Sequence, residues 1–427
     1  MNVYLSSLGC RLNEAELRTW SQEFQGRGHR VLPHPEGADV MVLNTCAVTT
    51  EATRSSRQKA KGLHRENPNA KLVLTGCFAE IEPGKAAELP GVDLVLSNQS
   101  KDLLVRTLED EVDTLVMPEA ATVPDAEALF QAHRTRAFIK VQDGCRNQCT
   151  FCIVTVARGS ERSRTIPDVV KEVQSLHAQG YQEVVVTGVH IGGYGHDINV
   201  NLRDLIEALI AETNIPRIRI GSLEPWDLPD GFFTLWGQSP RLCPHFHLPL
   251  QSGSDSVLRR MARRCSVDEY KHLAAAARAA IPDVNLTTDL IVGFPGETET
   301  EFIETTESIL DIGFGDMHIF SYSRREGTPA ARMKHHLPKA IKKARSRVIH
   351  NLARRMKKSA LEAQLHRPTA ILWETKSTSS MNDEPVWLGY TENYFRVETP
   401  IVDDLDLANT ITTMTPHAIA KGERLRV

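Results

Sequence analysis

The stretch DGCRNQCTFC, residues 143–152, places three cysteines on one short loop. They form a Cys-x3-Cys-x2-Cys set, Cys145, Cys149 and Cys152. Three thiolates on so tight a loop can bind three irons of a cubane [4Fe–4S] cluster and leave the fourth iron without a protein ligand. A structural zinc site needs four ligands, and neither Cys243 nor Cys265 lies at the short spacing of a zinc ribbon or knuckle. The residues therefore favour a cluster with one open iron over zinc.

Around and beyond this loop, β-rich runs alternate with helical patterns, which indicates successive parallel β–α units. The predicted strands are 138–141, 183–189, 217–223, 245–250, 285–292 and 316–320. Helix starts are marked by Pro167 and by two capping boxes, Ser266 with Glu269 and Thr298 with Glu301. Since a closed barrel has eight units, we predict a partial (β/α)6 barrel over residues 135–331.

Residues 1–110 show a shorter alternation of the same kind and predict an open parallel α/β sheet. The predicted strands are 3–5, 40–43, 72–74 and 94–96, with helices at about 13–25 and 51–64. Cys10, Cys46 and Cys77 each follow one of the first three strands within a few residues. Isolated cysteines are most often small buried residues, but ligands of open α/β sheets bind at the carboxyl ends of the strands. The fold is therefore expected to gather these three thiols at one edge of the sheet.

The rest of the chain divides into a linker at 111–134, a basic helical connector at 332–367 and a small all-β module at 368–427. The connector carries many cations and only one acidic residue, Glu362. The cations are Arg332, Lys334, Lys339, Lys342, Lys343, Arg345, Arg347, Arg354, Arg355, Lys357, Lys358 and Arg367. Such a run is either a solvated helix face or a surface that contacts nucleic-acid phosphates.

Composition limits the class of protein. The 427 residues predict about three domains, and 41% hydrophobic with 24% charged residues is typical of a globular chain. The net charge of −4 means that any nucleic-acid affinity comes from local patches. No run approaches the roughly 18 apolar residues of a membrane span, and no signal peptide is evident, so we expect a cytoplasmic protein without membrane contact. In that reducing compartment the eight cysteines suit metal, cluster or redox chemistry better than disulfides.

The cysteine loop at the first strand of a partial barrel resembles the radical S-adenosylmethionine superfamily. The resemblance implies that the open iron binds S-adenosylmethionine, and that electron transfer from the cluster yields a 5′-deoxyadenosyl radical. It makes the three loop cysteines the catalytic set. It also implies cofactor contacts from Arg158, Glu224, Gly293 and Glu297, the last two in the segment DLIVGFPGE.

The sequences LGCRLNEAE, NTCAVT and LTGCF around the N-terminal cysteines resemble the methylthiotransferase family. That family binds a second [4Fe–4S] cluster through three such cysteines, which are Cys10, Cys46 and Cys77 here. The segments TGVHIGGYG, RIGSLEP and HLPLQSGSD are similar to the branch that acts on threonylcarbamoyladenosine in tRNA. The resemblance implies conversion of N6-threonylcarbamoyladenosine at position 37, next to the anticodon, to its 2-methylthio derivative.

The same resemblance implies two uses of S-adenosylmethionine, an electron donor of flavodoxin type or similar, and tRNA as partner, with no stable protein partner inferred. The terminal module is expected to be a TRAM-like RNA-binding β-barrel. Alternative substrates within the family are isopentenyladenosine at position 37 and a ribosomal-protein aspartate. A non-catalytic iron–sulfur protein that binds RNA or carries electrons is the alternative from another class, although a pure electron carrier normally has four cysteine ligands.

Overall fold

A computed structural model describes residues 1–111, 135–379, 384–402 and 405–427. The predicted linker, 111–134, lies outside the described residues except for its first position. Within the described ranges, no helix has both the length and the apolar character needed to cross a membrane.

Strands and helices alternate in the first part of the chain. The strands are β1 (Asn2–Ser7), β2 (Arg30–Leu32), β3 (Val40–Thr45), β4 (Lys71–Gly76) and β5 (Val92–Val95). The helices are α1 (Arg11–Gly26), α2 (Thr50–Glu66), α3 (Cys77–Ile81), α4 (Pro83–Ala87) and α5 (Leu104–Glu111). The strands pair in parallel in the order β2-β1-β3-β4-β5. This confirms the predicted open parallel sheet.

Helices cover both faces of this sheet. Phe24 of α1 belongs to the core on one face, and Leu63 of α2 belongs to the core on the other. Strand β3 is buried along its whole length, as a central strand of a covered parallel sheet must be. The sequence prediction missed β2, an edge strand of three residues that is too short to show a period-two pattern.

The second part of the chain forms the predicted partial barrel. Its strands are β6 (Arg136–Asp143), β7 (Arg162–Ser163), β8 (Glu183–Gly188), β9 (Arg217–Ile220), β10 (His245–His247), β11 (Asn285–Val292) and β12 (Asp316–Ser321). Its helices are α6 (Val154–Arg158), α7 (Ile166–Ala178), α8 (Leu202–Glu212), α9 (Asp255–Arg260), α10 (Val267–Ala280) and α11 (Glu299–Ile312). Short 3-10 helices lie at Asn98–Leu103, Ile191–Gly193, Phe232–Gly237 and Pro329–Arg332.

All six predicted barrel strands are present and run parallel. Strands β6, β8 and β9 pair in one sheet and β10, β11 and β12 in another. Parallel bridges from Ile218 to Leu242 and from Ser222 to His247 join the two sheets into one curved wall. Both predicted capping boxes form, and Pro167 lies in the first turn of α7.

The third part is a long helix followed by a β module. The helix is α12 (Lys339–Glu362), and the strands are β13 (Thr369–Thr378), β14 (Pro385–Thr391), β15 (Arg396–Pro400), β16 (Ile411–Met414), β17 (Ala418–Ala420) and β18 (Arg424–Arg426). These pair in the order β16-β13-β14-β15-β18-β17. Helix α12 is shorter than the predicted stretch 332–367 because Pro338 occupies its N-cap, and the residue before a proline avoids helical geometry.

The β module covers one end of the barrel. Arg217, the first residue of β9, donates a hydrogen bond to the Tyr390 carbonyl, and Asn285, the first residue of β11, donates to the Asn393 carbonyl. The module therefore packs against the amino ends of the barrel strands. The cysteine loop follows β6 and lies at the carboxyl ends. With its parallel N-terminal sheet, partial barrel and C-terminal all-β sheet, the chain has the predicted α/β fold class.

Candidate functional site: two cysteine sets and a shared cavity

The cysteine loop after β6 holds its thiols against backbone donors. The N–H of Asn147 lies 3.4 Å from Cys145 Sγ, and the N–H of Val154 lies 3.4 Å from Cys152 Sγ. Backbone donors of this kind stabilise sulfur ligands of iron–sulfur clusters. Burial raises the pKa of Cys145 to about 12 and that of Cys152 to about 11. Cluster assembly at this loop therefore has to displace thiol protons.

No fourth cysteine completes this set within the described residues. Cys243 is buried in the segment between the 3-10 helix Phe232–Gly237 and β10. The Cys265 thiol donates a hydrogen bond to the Ser266 carbonyl. The donor set thus fits a cubane cluster with one open iron better than a closed zinc site.

The predicted Gly293–Glu297 segment flanks the loop through packing. Phe294 belongs to a small hydrophobic cluster against which Phe151, from the cysteine loop, also packs. The Glu297 carboxylate accepts hydrogen bonds from the Gly293 N–H at 2.8 Å and from Arg345 at 2.6 Å. Its oxygens therefore hold the turn and the helix α12 in place.

Glu224, another predicted cofactor residue, lies near the loop; one of its carboxylate oxygens lies 3.8 Å from His190 Nε2 but accepts no hydrogen bond within the described residues. This oxygen, Oε2, is buried. Burial raises the pKa of this carboxyl group. A buried carboxylate oxygen without a hydrogen bond is costly, and a ligand that carries an amino group or hydroxyl groups can donate one.

His190 holds the cysteine loop in place through hydrogen bonds of its ring. Its Nδ1 lies 2.6 Å from Glu161, and its Nε2 lies 2.8 Å from Asp227 and 3.1 Å from Asn147 of the loop. Although burial favours the neutral ring, Asp227, together with Glu224 and Glu161, raises the pKa of His190. These contacts give His190 a structural role at the cysteine loop.

The N-terminal thiols gather as predicted. Cys46 and Cys77 are buried, Cys10 is exposed, and all three line one cavity. Gly9 has a φ of +99°, and a Cβ there would lie 2.6 Å from the Cys46 Sγ. Gly76 has a φ of +93°, and a Cβ there would lie 2.4 Å from the Thr45 carbonyl oxygen. Glycine before Cys10 and before Cys77 is thus required for the thiols to approach one another.

Arg158 joins the thiol site to the barrel. Its guanidinium donates to Glu16 and Asp143 at 3.0 Å and to Asn13 at 2.8 Å. Although burial opposes its charge, Glu16 and Asp143, with a smaller effect of the Cys77 thiol, hold the pKa of Arg158 well above its ordinary value. The sequence comparison placed Arg158 among the residues that bind the radical cofactor, but its side chain turns from the cysteine loop towards the N-terminal thiols.

One cavity connects the three parts of the chain. It has a volume of about 600 Å³, a size typical of ligand sites. The N-terminal thiols and Arg158 line one side, and Thr187, Thr287 and other inward residues of the barrel form its wall. Tyr390, Tyr394 and Arg396 of the β module line the remaining end. Val154, two residues after Cys152, also reaches the cavity.

Comparison with known proteins places this geometry in a family. Residues 139–309 match the radical SAM superfamily, and residues 2–97 match an uncharacterized protein family, UPF0004. The threonylcarbamoyladenosine tRNA methylthiotransferase MtaB of Bacillus subtilis is 35% identical over 94% of this chain and 91% of its own length. The MtaB protein of Thermotoga maritima is 36% identical over 82% of both chains. This chain belongs to the radical SAM methylthiotransferase family.

Membership makes the protein a transferase whose cofactors are S-adenosylmethionine and [4Fe–4S] clusters, and the two thiol sets fit that donor requirement. A related enzyme of Bacillus cereus, tRNA-2-methylthio-N(6)-dimethylallyladenosine synthase, is 34% identical over 91% of this chain and 78% of its own length. Overall identity therefore separates the two tRNA branches of the family only weakly. Among solved structures, the radical S-adenosylmethionine methyltransferase TsrM of Kitasatospora setae has a TM-score of 0.58 at 16% identity over 77% of both chains. This likeness concerns the fold.

Sequence reasoning missed several residues of the site. Asn13, Glu16 and Lys101 complete the Arg158 network, and His318, which lines the cavity, pairs with Asp289. Lys101 and His318 lie in none of the motifs around the cysteines or the glycine-rich turn, whereas Asn13 and Glu16 follow Cys10 in LGCRLNEAE. The Asn-x-x-Glu spacing of Asn13 and Glu16 after Cys10 was the one available signal, because residues three apart share a helix face.

We expect the buried network to matter for stability. Glu16 is 2% exposed and accepts from Lys101 at 2.7 Å, so Glu16→Gln leaves buried cations uncompensated and is expected to destabilise the fold by about 3 to 5 kcal/mol. Although burial opposes ionisation, Lys101, Arg158 and Lys140 hold the pKa of Glu16 well below its usual value. Its contribution is therefore present above the unfolded-state pKa of about 4.3 and is lost as pH falls.

Chemical denaturation at several pH values measures this effect. The control is Glu23→Gln on the same helix, whose ion pair with Arg27 is partly exposed and whose removal is expected to change stability by less than about 1 kcal/mol. Equal stabilities of the two variants at pH 7 contradict the assignment of Glu16.

Proposed function

We propose that the protein methylthiolates tRNA, converting N6-threonylcarbamoyladenosine at position 37 to its 2-methylthio derivative. The observation that carries the proposal is the shared cavity, which the N-terminal thiols, the barrel and the β module line together. Enzymes that act on a base atom take the base out of its stack into such a pocket. A base bound there has access to the N-terminal thiol site and to the barrel interior at the same time.

A group of polar side chains in the otherwise largely apolar cavity supports the threonylcarbamoyl substrate over the isopentenyl one. His245, His247, Asp289 and His318 line the barrel wall, and Arg396 lines the module side. An isopentenyl group leaves such polar groups without partners, which a binding site penalises. A threonylcarbamoyl group offers a carboxylate, a hydroxyl and a urea to the same side chains.

We assign one [4Fe–4S] cluster to Cys145, Cys149 and Cys152, with S-adenosylmethionine at its open iron. The second cluster is assigned to Cys10, Cys46 and Cys77. When bound, these groups supply a carbon-centred radical able to abstract hydrogen from an unactivated C–H bond, and the sulfur with its methyl group. This division leaves the protein the tasks of binding, orientation and exclusion of water.

The side chains around the two sites suit those tasks. Glu224 offers the cofactor a buried carboxylate oxygen that accepts no hydrogen bond in the described residues, beside the cysteine loop. Gly293 and Glu297 fix the turn that packs against Phe151 of that loop. Arg158 keeps a positive charge beside the N-terminal thiols, where a second S-adenosylmethionine is expected to donate its methyl group. We therefore assign Arg158 to cofactor binding at the N-terminal site and not at the cysteine loop.

The proposal includes an electron donor of flavodoxin type or similar, no stable protein partner and, because the substrate is tRNA, a reaction in the cytoplasm. A ribosomal-protein aspartate is a weaker candidate, because relatives that match more than 90% of this chain are named for tRNA substrates.

A direct assay separates the substrates. The protein is reconstituted with iron and sulfide without oxygen, reduced, and incubated with S-adenosylmethionine and anticodon stem-loops that carry either threonylcarbamoyladenosine or isopentenyladenosine. Nucleoside mass spectrometry is expected to find the 2-methylthio product only with the first RNA. Product only with the second RNA contradicts the substrate, and cleavage of S-adenosylmethionine with neither product contradicts the function.

The exposed cations of α12 are expected to contact tRNA phosphates. Lys343, Arg347, Arg354 and Lys358 are exposed and recur at helical spacing. Replacing all four by Ala is expected to weaken tRNA binding at moderate salt. Each lost contact reduces the slope of log affinity against log salt by about 0.9 in duplex regions and about 0.7 in single strands. Binding titrations over a range of salt concentrations measure both effects.

Two other cations of the basic connector form ion pairs within the protein. Arg345 is buried against Glu297, and Lys357 pairs with Asp316 and Glu423, so neither belongs in the test. Lys171→Ala, at an exposed position of α7, is the control. An unchanged affinity and slope in the quadruple variant, with its fold intact, means that this helix face meets only solvent.

A further inference from the structure

The cavity is lined by two basic side chains from different parts of the chain, in addition to those already described. His318 lies on β12 of the barrel, and Arg396 lies at the start of β15 in the β module. Both line the cavity. The seam between barrel and module is closed beside them by Lys357, which pairs with Asp316 at 2.9 Å and with Glu423 at 3.0 Å.

Most charges around this cavity are already compensated. Arg219 pairs with the buried Glu183 at 2.7 Å, Lys357 has its two carboxylates, and Arg158 has Glu16 and Asp143. Arg396, in contrast, is exposed and lines the cavity, and no ion pair joins it to a carboxylate in the described ranges. Its guanidinium lies 5.8 Å from the centre of the Tyr390 ring, a contact that leaves its N–H donors available.

His318 is held in a defined orientation with one nitrogen free. Its Nδ1 lies 3.2 Å from Asp289 Oδ1, and His247 Nε2 lies 3.2 Å from the same oxygen. The His318 side chain is 65% exposed, and among the described residues its Nε2 has no hydrogen-bond partner. Asp289 thus fixes the ring while the opposite edge faces the cavity.

We propose that Arg396 and His318 together bind the carboxylate of the threonylcarbamoyl group, and so select this substrate among N6-modified adenosines. The inference rests on the proposed function. Arginine binds carboxylates through two parallel hydrogen bonds. The protonated His318 ring, which the hydrogen bond of its Nδ1–H to Asp289 favours, donates a third from Nε2–H. A base whose C2 faces the N-terminal thiols directs its N6 substituent to another part of the cavity, where these two residues lie.

The polar surroundings complete the site for such a group. His245 is 6% exposed and its Nδ1 has no hydrogen bond within the described residues. Its ring lies beside Tyr394, with 4.8 Å between the ring centroids. The hydroxyl and urea of the substituent can satisfy this nitrogen, whereas an apolar substituent leaves it unpaired at a cost.

The test compares wild-type and variant proteins, each with two RNA substrates. The substrates are anticodon stem-loops that carry threonylcarbamoyladenosine or its analogue with a primary carboxamide in place of the carboxylate. Wild-type protein is expected to prefer the carboxylate by about 10- to 100-fold in kcat/KM, the range of one charged hydrogen-bonded pair. Arg396→Gln is expected to reduce that ratio to within about threefold of unity, and His318→Phe to reduce it in part.

Lys376→Gln is the matched control, because it removes one charge from an exposed position of the same β module outside the cavity and is expected to keep the wild-type ratio. A wild-type ratio near one, or equal ratios in wild type and Arg396→Gln, overturns the inference. If neither RNA is methylthiolated by the wild type, the proposed function itself has failed.

A metal ion is the competing occupant of this part of the cavity. His247, Asp289 and His318 have ligand atoms within 4.8 Å of one another. Metal analysis of the reconstituted protein distinguishes the two. One equivalent of a metal beyond the cluster iron, lost in His318→Phe, overturns direct recognition of the carboxylate, and its absence supports the inference.

Discussion

Alanine in place of Cys10, Cys46 and Cys77 is expected to abolish methylthiolation while S-adenosylmethionine is still cleaved. The three thiols line the cavity from the N-terminal sheet, and the loop cysteines belong to the barrel. Each set of three cysteines leaves one iron of its cluster open, but we assign the radical reaction to the loop cluster, because its cysteines follow the first strand of the radical SAM barrel. The reduced variant is therefore expected to form 5′-deoxyadenosine and no 2-methylthio nucleoside, both measured by mass spectrometry.

Cys243→Ala is the control for this experiment, because Cys243 is buried and belongs to neither set. It is expected to keep both activities. Loss of 5′-deoxyadenosine formation in the triple variant, with the fold intact, means that the two sites do not divide the reaction in this way.

Replacing Cys145, Cys149 and Cys152 by alanine is expected to remove about half of the bound iron and all cleavage of S-adenosylmethionine, because each set holds one cluster. The N-terminal thiols have their own support from Gly9 and Gly76, so their cluster should assemble independently. Iron and sulfide analysis of anaerobically reconstituted protein measures the effect. A single zinc in the wild type, or loss of all iron in this variant, contradicts the assignment.

The positions of both cysteine sets could be predicted because they depend on local patterns. Apolar runs identify parallel strands, and parallel strands end at the same edge of a sheet. Cys10, Cys46 and Cys77 follow three such ends, so their meeting required no knowledge of the tertiary packing. The same reasoning placed Cys145 after the first barrel strand.

The partners of Arg158 could not be predicted, because Glu16 lies 142 residues away in another part of the chain. The sequence neighbourhood of Arg158 pointed to the cysteine loop, whereas the docking of α1 against β6 turns its side chain to the N-terminal thiols. Long-range pairs of this kind depend on how the two parts pack, which periodicity does not report.

The basic connector shows the same limit. Composition alone treats its cations as equivalent, but Arg345 is buried on Glu297 and Lys357 is paired twice, whereas Arg354 and Lys358 remain exposed. Burial and pairing thus decide which of these charges remain available for RNA.

The most direct test of the central claim is nucleoside mass spectrometry of total tRNA from cells with and without the gene. The proposed function predicts that 2-methylthio-N6-threonylcarbamoyladenosine disappears from the tRNA of the deletion strain, and that the unmodified threonylcarbamoyladenosine increases by the same amount. Restoring the gene should restore the modified nucleoside, whereas the triple variant of Cys10, Cys46 and Cys77 should not. Persistence of the 2-methylthio nucleoside in the deletion strain, with loss of the methylthiolated isopentenyladenosine instead, contradicts the claim.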